Sequence, residues 1–271
     1  PLLPRGAGYD AVSEVFLEPL GSHGFAPTDC AVAPDGSLFV CIGGRKTRGA
    51  VYRIEFVRDD APKTPPTNSI AIARPLNPRE QLRSVLDAPQ PLDAWSRAQW
   101  MPLAQQLGGA VFKSAVLDAT LGESERVRAA EILVELFGGI DDATAVNGVR
   151  DKSPRVRARM AWALGRDARP DSPRLLAALA LDDAPVVRRC AIEALLAETI
   201  DAPTALSLLP ANLAHDDARV RLAAVQLAVR LPAATWQVLW ETRSRFGAPA
   251  QLALAHAAIL RAPEKAVHVE A

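Results

Sequence analysis

The chain has 271 residues, 49% apolar and 23% charged, with basic and acidic side chains balanced to a formal net charge of zero. It can bury a real core, and nothing global draws it to nucleic acid, an anionic membrane or an acidic substrate. No apolar run approaches the roughly 18–20 residues a membrane-spanning helix needs, and the first ten residues lack the basic-then-apolar order of a signal peptide.

The chain opens on Pro1 rather than methionine, and a piece of a longer protein is expected. Residues 12–17, 30–33, 38–41 and 51–57 are short β-branched and apolar runs separated by Gly, Pro and Asp, which read as strands. Pro34-Asp35-Gly36-Ser37 is a turn, because proline pre-sets φ and glycine accepts angles closed to other residues. A symmetric closure there sets Ala33 against Leu38 and Cys30 against Cys41, so Cys30 and Cys41 are a candidate disulfide. A shift of one residue would place the sulfurs on opposite faces. Both faces of such a hairpin are apolar, so cover on both sides is expected, as in stacked propeller blades. The third cysteine, Cys190, and the histidines His23, His215, His256 and His268 form no cluster at metal-ligand spacing. Glycines flank basic residues in the loop 43–49, but no nucleotide-binding pattern fits it.

Three motifs carry a resemblance: Pro27-Thr28-Asp29, the run Pro34-Asp35-Gly36-Ser37-Leu38-Phe39-Val40, and Gly49-Ala50-Val51-Tyr52-Arg53-Ile54. Together they resemble one blade of the sorbosone and glucose dehydrogenase-like propellers, above all the last blade of the multidomain proteins called membrane-bound-dehydrogenase-like. The resemblance implies a propeller upstream, helical repeats, a c-type haem domain downstream, and a periplasmic or secreted location. Ile42 stands where the blade pattern ends its strand in aspartate, so no active-site role carries over to that position.

Residues 58–78 are rich in Pro, Thr, Asn and Asp and read as a linker. Asn77-Pro78-Arg79-Glu80 then spells a capping box with proline at the first helical position, predicting a short helix that ends before Pro89. A second helix is expected from Asp93, carrying Trp95, Trp100 and Leu103.

From residue 109 onward a Val-Arg pair recurs at 127, 156, 187 and 220, a repeat of roughly 30 residues, each followed by Ala and Leu at helical spacing. Shorter helical segments lie between them, so each unit is a helical pair that must stack on its neighbours to cover its apolar stripe. A fifth pair without the signature follows, over residues 232–246 and 249–261. Asp151 lies six residues before Arg157, and Asp182 six before Arg188; the fourth unit has His215 at that place and the first has Gly122. The pattern resembles HEAT repeats, which implies a ladder of turn aspartates and second-helix arginines, here Asp151, Arg157, Asp182 and Arg188. Exposed pairs of this kind would contribute no more than about 1 kcal/mol each.

The fold class is therefore mainly α: a solenoid of HEAT-like helical pairs after a small antiparallel, blade-like β-segment. The expected divisions are 1–57 for the β-segment, 58–90 for the linker and its short helix, 91–262 for the solenoid and 263–271 for a tail. Among the arginines near the signatures, Arg128, Arg155, Arg159, Arg189 and Arg221 are candidates for an interaction surface. The basic stretch from Arg150 to Arg174 is interspersed with Asp151, Asp167 and Asp171, which argues against nucleic acid. No catalytic spacing motif, cofactor fingerprint or metal motif stands out. The expected role is a scaffold that binds a protein or other domains of its own chain. The alternative is an internal piece of an exported haem-dependent dehydrogenase.

Overall fold

The computed structural model describes residues 2–18, 26–33, 37–43, 49–54, 76–88, 97–167 and 169–261. The turn at Pro34-Asp35-Gly36, most of the glycine-flanked basic loop, most of the linker, the Asp93 cap with Trp95, His23, His268 and the tail lie outside them. In chain order the elements are β1 (Leu2–Arg5), β2 (Gly8–Ala11), β3 (Pro27–Val32), β4 (Leu38–Ile42) and β5 (Ala50–Ile54). Then come α1 (Pro78–Leu86), α2 (Arg97–Leu107), α3 (Gly109–Leu117), α4 (Glu123–Leu136), α5 (Asp142–Gly148) and α6 (Pro154–Leu164). They continue through α7 (Ser172–Leu179), α8 (Pro185–Leu195), α9 (Ala202–Leu213), α10 (Ala218–Arg230), α11 (Ala233–Glu241) and α12 (Ala248–Arg261), with a 3₁₀ turn at Arg243–Arg245.

Two compact units result, Pro1–Val12 with Gly108–Ala271, and Ser13–Leu107. This division differs from the boundaries read from sequence. The first hairpin groups with the solenoid, and α2 groups with the strands β3 to β5.

The solenoid unit is built from the pairs α3/α4, α5/α6, α7/α8, α9/α10 and α11/α12. Local chemistry starts several helices: Asp141 accepts from the Thr144 amide at 2.8 Å, Ser153 caps a helix with Pro154 in its first turn, and Asp201 accepts from the Thr204 amide at 2.9 Å. The second helices α4, α6, α8, α10 and α12 pack on one another in sequence. Small residues at their contacts permit this, among them Ala130, Ala161, Ala191 and Ala224, all fully buried. Between the helices of the pairs lie Ile132, Leu133, Met160, Leu164, Leu176, Ile192, Leu195, Leu208, Leu209 and Leu213, also inaccessible to solvent. Each contributes about 1.5–3 kcal/mol by burial.

Residues 12–17 form no strand; Val15 and Phe16 are exposed. The strands lie earlier, with Leu2 paired to Ala11 and Arg5 to Gly8. Gly6 takes φ +55° in the two-residue loop between them, a conformation that costs glycine nothing. Alternating apolar residues alone do not make a strand; a pairing edge is also required, and residues 2–11 supply their own.

In the other unit, β3, β4 and β5 form an antiparallel three-stranded sheet with β4 central. Val32 pairs with Leu38, Cys30 with Val40 and Asp29 with Cys41. The symmetric closure expected from sequence is thus displaced by one residue, and because facing residues share a side, Cys30 and Cys41 point to opposite faces. Both are free thiols, which corrects the candidate disulfide. Cover on both faces is also not what β3 has: five of its six residues are exposed, while Val40 of β4 is buried. In the same unit α1 begins with the expected capping box, Asn77 accepting from the Glu80 amide at 3.0 Å and Glu80 from the Asn77 amide at 2.9 Å.

Candidate functional site

The ladder is the best-defined set of polar contacts in the solenoid. Arg157 on α6 donates from Nε to Asp182 Oδ2 at 2.7 Å and from Nη2 to Asp182 Oδ1 at 2.8 Å. Its Nη1 donates to the Asp151 carbonyl of its own unit at 2.7 Å. Arg188 on α8 likewise bonds the Asp182 and Leu181 carbonyls. Each turn aspartate also folds its own loop: Asp151 accepts from the Ser153 amide and Asp182 from the Ala184 amide, both at 2.8 Å. Burial pushes the Asp182 carboxyl up, but the Arg157 and Ala184 bonds and the nearby Arg157 and Arg188 charges outweigh it, leaving the group below its ordinary range. Arg157 is correspondingly raised, first by its bond to Asp182.

These pairs are not exposed, contrary to the expectation from sequence. The Arg157 and Asp182 side chains are 16% and 12% accessible, so the pair is half-buried. Loss of one partner therefore leaves a half-buried charge rather than a fully solvated one.

Arg126, which the Val-Arg register passed over, holds the equivalent place in the first pair. It is buried, donates to the Val116 carbonyl at 2.9 Å and pairs with Asp151. Its signal was present: Arg126, Arg157 and Arg188 are spaced by 31 residues, as are Leu133, Leu164 and Leu195, whereas Val127 and Val156 are 29 apart. In the first unit it is Asp118, not Gly122, that folds the turn, accepting from the Thr120 amide at 2.9 Å.

The fourth unit divides the aspartate's work between two residues. His215 Nδ1 accepts from the Asp217 amide at 2.9 Å, and Arg221 donates to the His215 carbonyl at 2.7 Å. Buried Asn212 receives Arg188 Nη1 at 3.4 Å while its amide donates to the Ala180 and Leu208 carbonyls. Arg221 thus folds its own turn, and it also lines the groove beside α12.

The other surface candidates have carboxylate partners. Arg128 lies 3.3 Å from Glu131, and Arg159 reaches the same Glu131 from α6 at 3.0 Å, tying two second helices together. Arg155 lies 3.7 Å from Glu123 and Arg189 3.3 Å from Glu193. Arg169 and Arg174, elsewhere in the basic stretch, also pair with aspartates. Within that stretch Trp162, which sequence reading did not single out, has the Arg166 and Arg159 guanidiniums 4.1 and 4.8 Å from its ring centre. It lines a cavity of about 290 Å³ with Cys190 and Glu193. Burial pushes the Cys190 thiol up, so it stays protonated.

Two further features occupy the second-helix face. The β1–β2 turn is held by three bonds to its main chain: Arg189 Nη1 to the Ala7 carbonyl at 2.6 Å, the Ala7 amide to Asp217 Oδ2 at 2.9 Å, and Arg219 Nη2 to the Tyr9 carbonyl at 3.3 Å. Ala7 is fully buried there. Between α10 and α12 lies an apolar groove of about 610 Å³, lined by Leu222, Val225, Leu252, Ala253, His256 and Ile259. Among the described residues no group of three or more His, Cys, Asp or Glu is placed to hold a metal, and no helix is long and apolar enough to cross a membrane.

A search of curated proteins finds no match to the chain. Among protein families, HEAT repeats match residues 143–229, the stretch from α5 into α10 that carries Arg157, Asp182 and Arg188. That part of the solenoid is similar to HEAT repeats, which generally serve as protein-interaction scaffolds.

Proposed function

We propose that the solenoid is a scaffold whose second-helix face binds a protein partner, or another domain of the same chain, and that this segment performs no catalysis of its own. The observation that carries the reading is the groove between α10 and α12. Leu222, Leu252 and Ile259 are 55%, 74% and 54% exposed around it. Contiguous exposed apolar residues on a folded surface cost solubility and mark contact sites. The stacked, alanine-rich second helices give that face a rigid base, which limits the entropy lost on binding. The test is a pulldown from the source organism with the full chain and with Leu222→Glu/Leu252→Glu. The reading expects a partner recovered by the first and lost by the second at unchanged helicity. Equal recovery, or none by either, would count against it.

A second reading rests on the sheet β3–β4–β5. Its consecutive antiparallel order is that of neighbouring strands in a propeller blade, and it carries the motifs that resemble the dehydrogenase-like family. On this reading the solenoid spaces a catalytic propeller from a haem domain. Dehydrogenase activity and a haem spectrum from the full-length gene product would support it; a gene encoding neither domain would end it.

A further inference from the structure

The contacts made by Arg189, Asp217 and Arg219 read no side chain of the turn they hold. One residue, Ala7, gives its carbonyl to Arg189 and its amide to Asp217, so a cation and an anion grip the two polar groups of a single peptide segment. Bonds to charged groups of this kind are the stronger class.

Selectivity comes from the flanking positions. A Cβ at Gly6 would overlap the Asp217 carboxylate, and a Cβ at Gly8 would overlap the Arg219 guanidinium. Gly6 also needs its positive φ. Gly6 is therefore the position that admits no side chain, whereas the Arg219 tip beside Gly8 is exposed and free to move aside. The anionic jaw has an independent anchor: Asp217 Oδ1 caps α10 through the Arg219 and Val220 amides, leaving Oδ2 for the turn, while Arg189 lies 3.3 Å from Glu193. A site positioned by contacts other than those to its ligand is pre-organised.

We propose that Arg189, Asp217 and Arg219 form a receptor for β-turns of a protein partner that place a left-handed glycine before the gripped residue, a site which the chain's own Gly6-Ala7 turn fills as an intramolecular competitor. This rests on the protein-interaction reading and names the partner's recognition element. A partner's turn must displace the tethered one, so its apparent affinity falls by the fraction of molecules in which the site is open.

The experiment uses the full chain and a fluorescent peptide of residues 2–11 as probe, read by anisotropy. In the Gly6→Val/Gly8→Val chain the tethered turn cannot seat, and the peptide should bind saturably, at least about tenfold tighter than to the unaltered chain. Adding Arg189→Ala should weaken it by about tenfold or more, and a peptide carrying Gly6→Val should not bind. Circular dichroism establishes that each chain keeps its helices; Arg189 is chosen because Asp217 also caps α10. Equal weak binding to both chains, binding that survives Arg189→Ala, or binding of the Gly6→Val peptide would each overturn the proposal. The Leu222 and Leu252 variants do not touch this clamp, so a failure here leaves the groove reading standing or falling on its own test.

Discussion

Arg157 and Asp182 meet across the boundary between two helical pairs in a two-pronged bond, Nε to Oδ2 and Nη2 to Oδ1, at 2.7 and 2.8 Å. Such geometry suits the planar guanidinium and fixes the rotation of one repeat on the next. Arg157→Ala or Asp182→Ala should each lower the unfolding free energy by about 1–3 kcal/mol, because each leaves a half-buried, hydrogen-bonded charge without its partner. Arg155→Ala, at an exposed pair, should cost no more than about 1 kcal/mol. Urea unfolding followed by circular dichroism distinguishes the two.

The same pair sets a dependence on acid. The folded-state value of Asp182 is depressed, since the Arg157 and Ala184 bonds and the Arg188 charge overcome burial. Its stabilisation is therefore complete above the unfolded carboxylate value of about 3.9 and is lost as pH falls through the lower folded value. Asp151 and Asp183, which face Arg157, leave that direction unchanged. Unfolding free energies measured from pH 6 down to about 3 should fall less steeply for Asp182→Asn than for the unaltered chain.

Gly165 ends α6 where that helix meets α8. A Cβ there would come 2.6 Å from the Ala194 Cβ and 3.0 Å from its Cα, with backbone rather than a flexible tip in the way. Gly165→Ala should destabilise by about 1–3 kcal/mol through overpacking, despite the better helix propensity of alanine. A lowered thermal midpoint checks it.

Asn212 offers a different failure. Asn212 is buried; its amide satisfies the Ala180 carbonyl and its oxygen receives Arg188. Asn212→Leu should cost about 1–3 kcal/mol for each buried polar group left without a partner. Asn212→Asp restores an anion for Arg188 but removes the donor to Ala180, so chemical denaturation should find it destabilised as well.

The helical pairs were legible because Val156, Val187 and Val220 must be buried and must recur with the repeat. Asp151 and Asp182 were legible because each turn aspartate lies six residues before an arginine in the first turns of the helix that follows. Arg126 was missed because the eye follows the Val-Arg pair, while the physical period is kept by the buried leucines and the ladder arginines. Asn212 was missed because it replaces an aspartate from a different element, α9, and only folding brings it to Arg188. The cysteine pairing failed on one residue of strand register, which composition does not encode. The clamp at Arg189, Asp217 and Arg219 joins residues about 180–210 positions apart in sequence, so only the local Gly-x-Gly signal could have suggested it.

The central claim is that this chain works through the second-helix face of its solenoid. A photo-reactive amino acid at position 252 on α12, set against one at position 146 on α5, tests it in the full chain within its source cells. The account predicts a discrete crosslinked protein, or a crosslink to another domain of the same chain, from position 252 and none from position 146. Crosslinking from position 146 alone, equally from both, or from neither would contradict it.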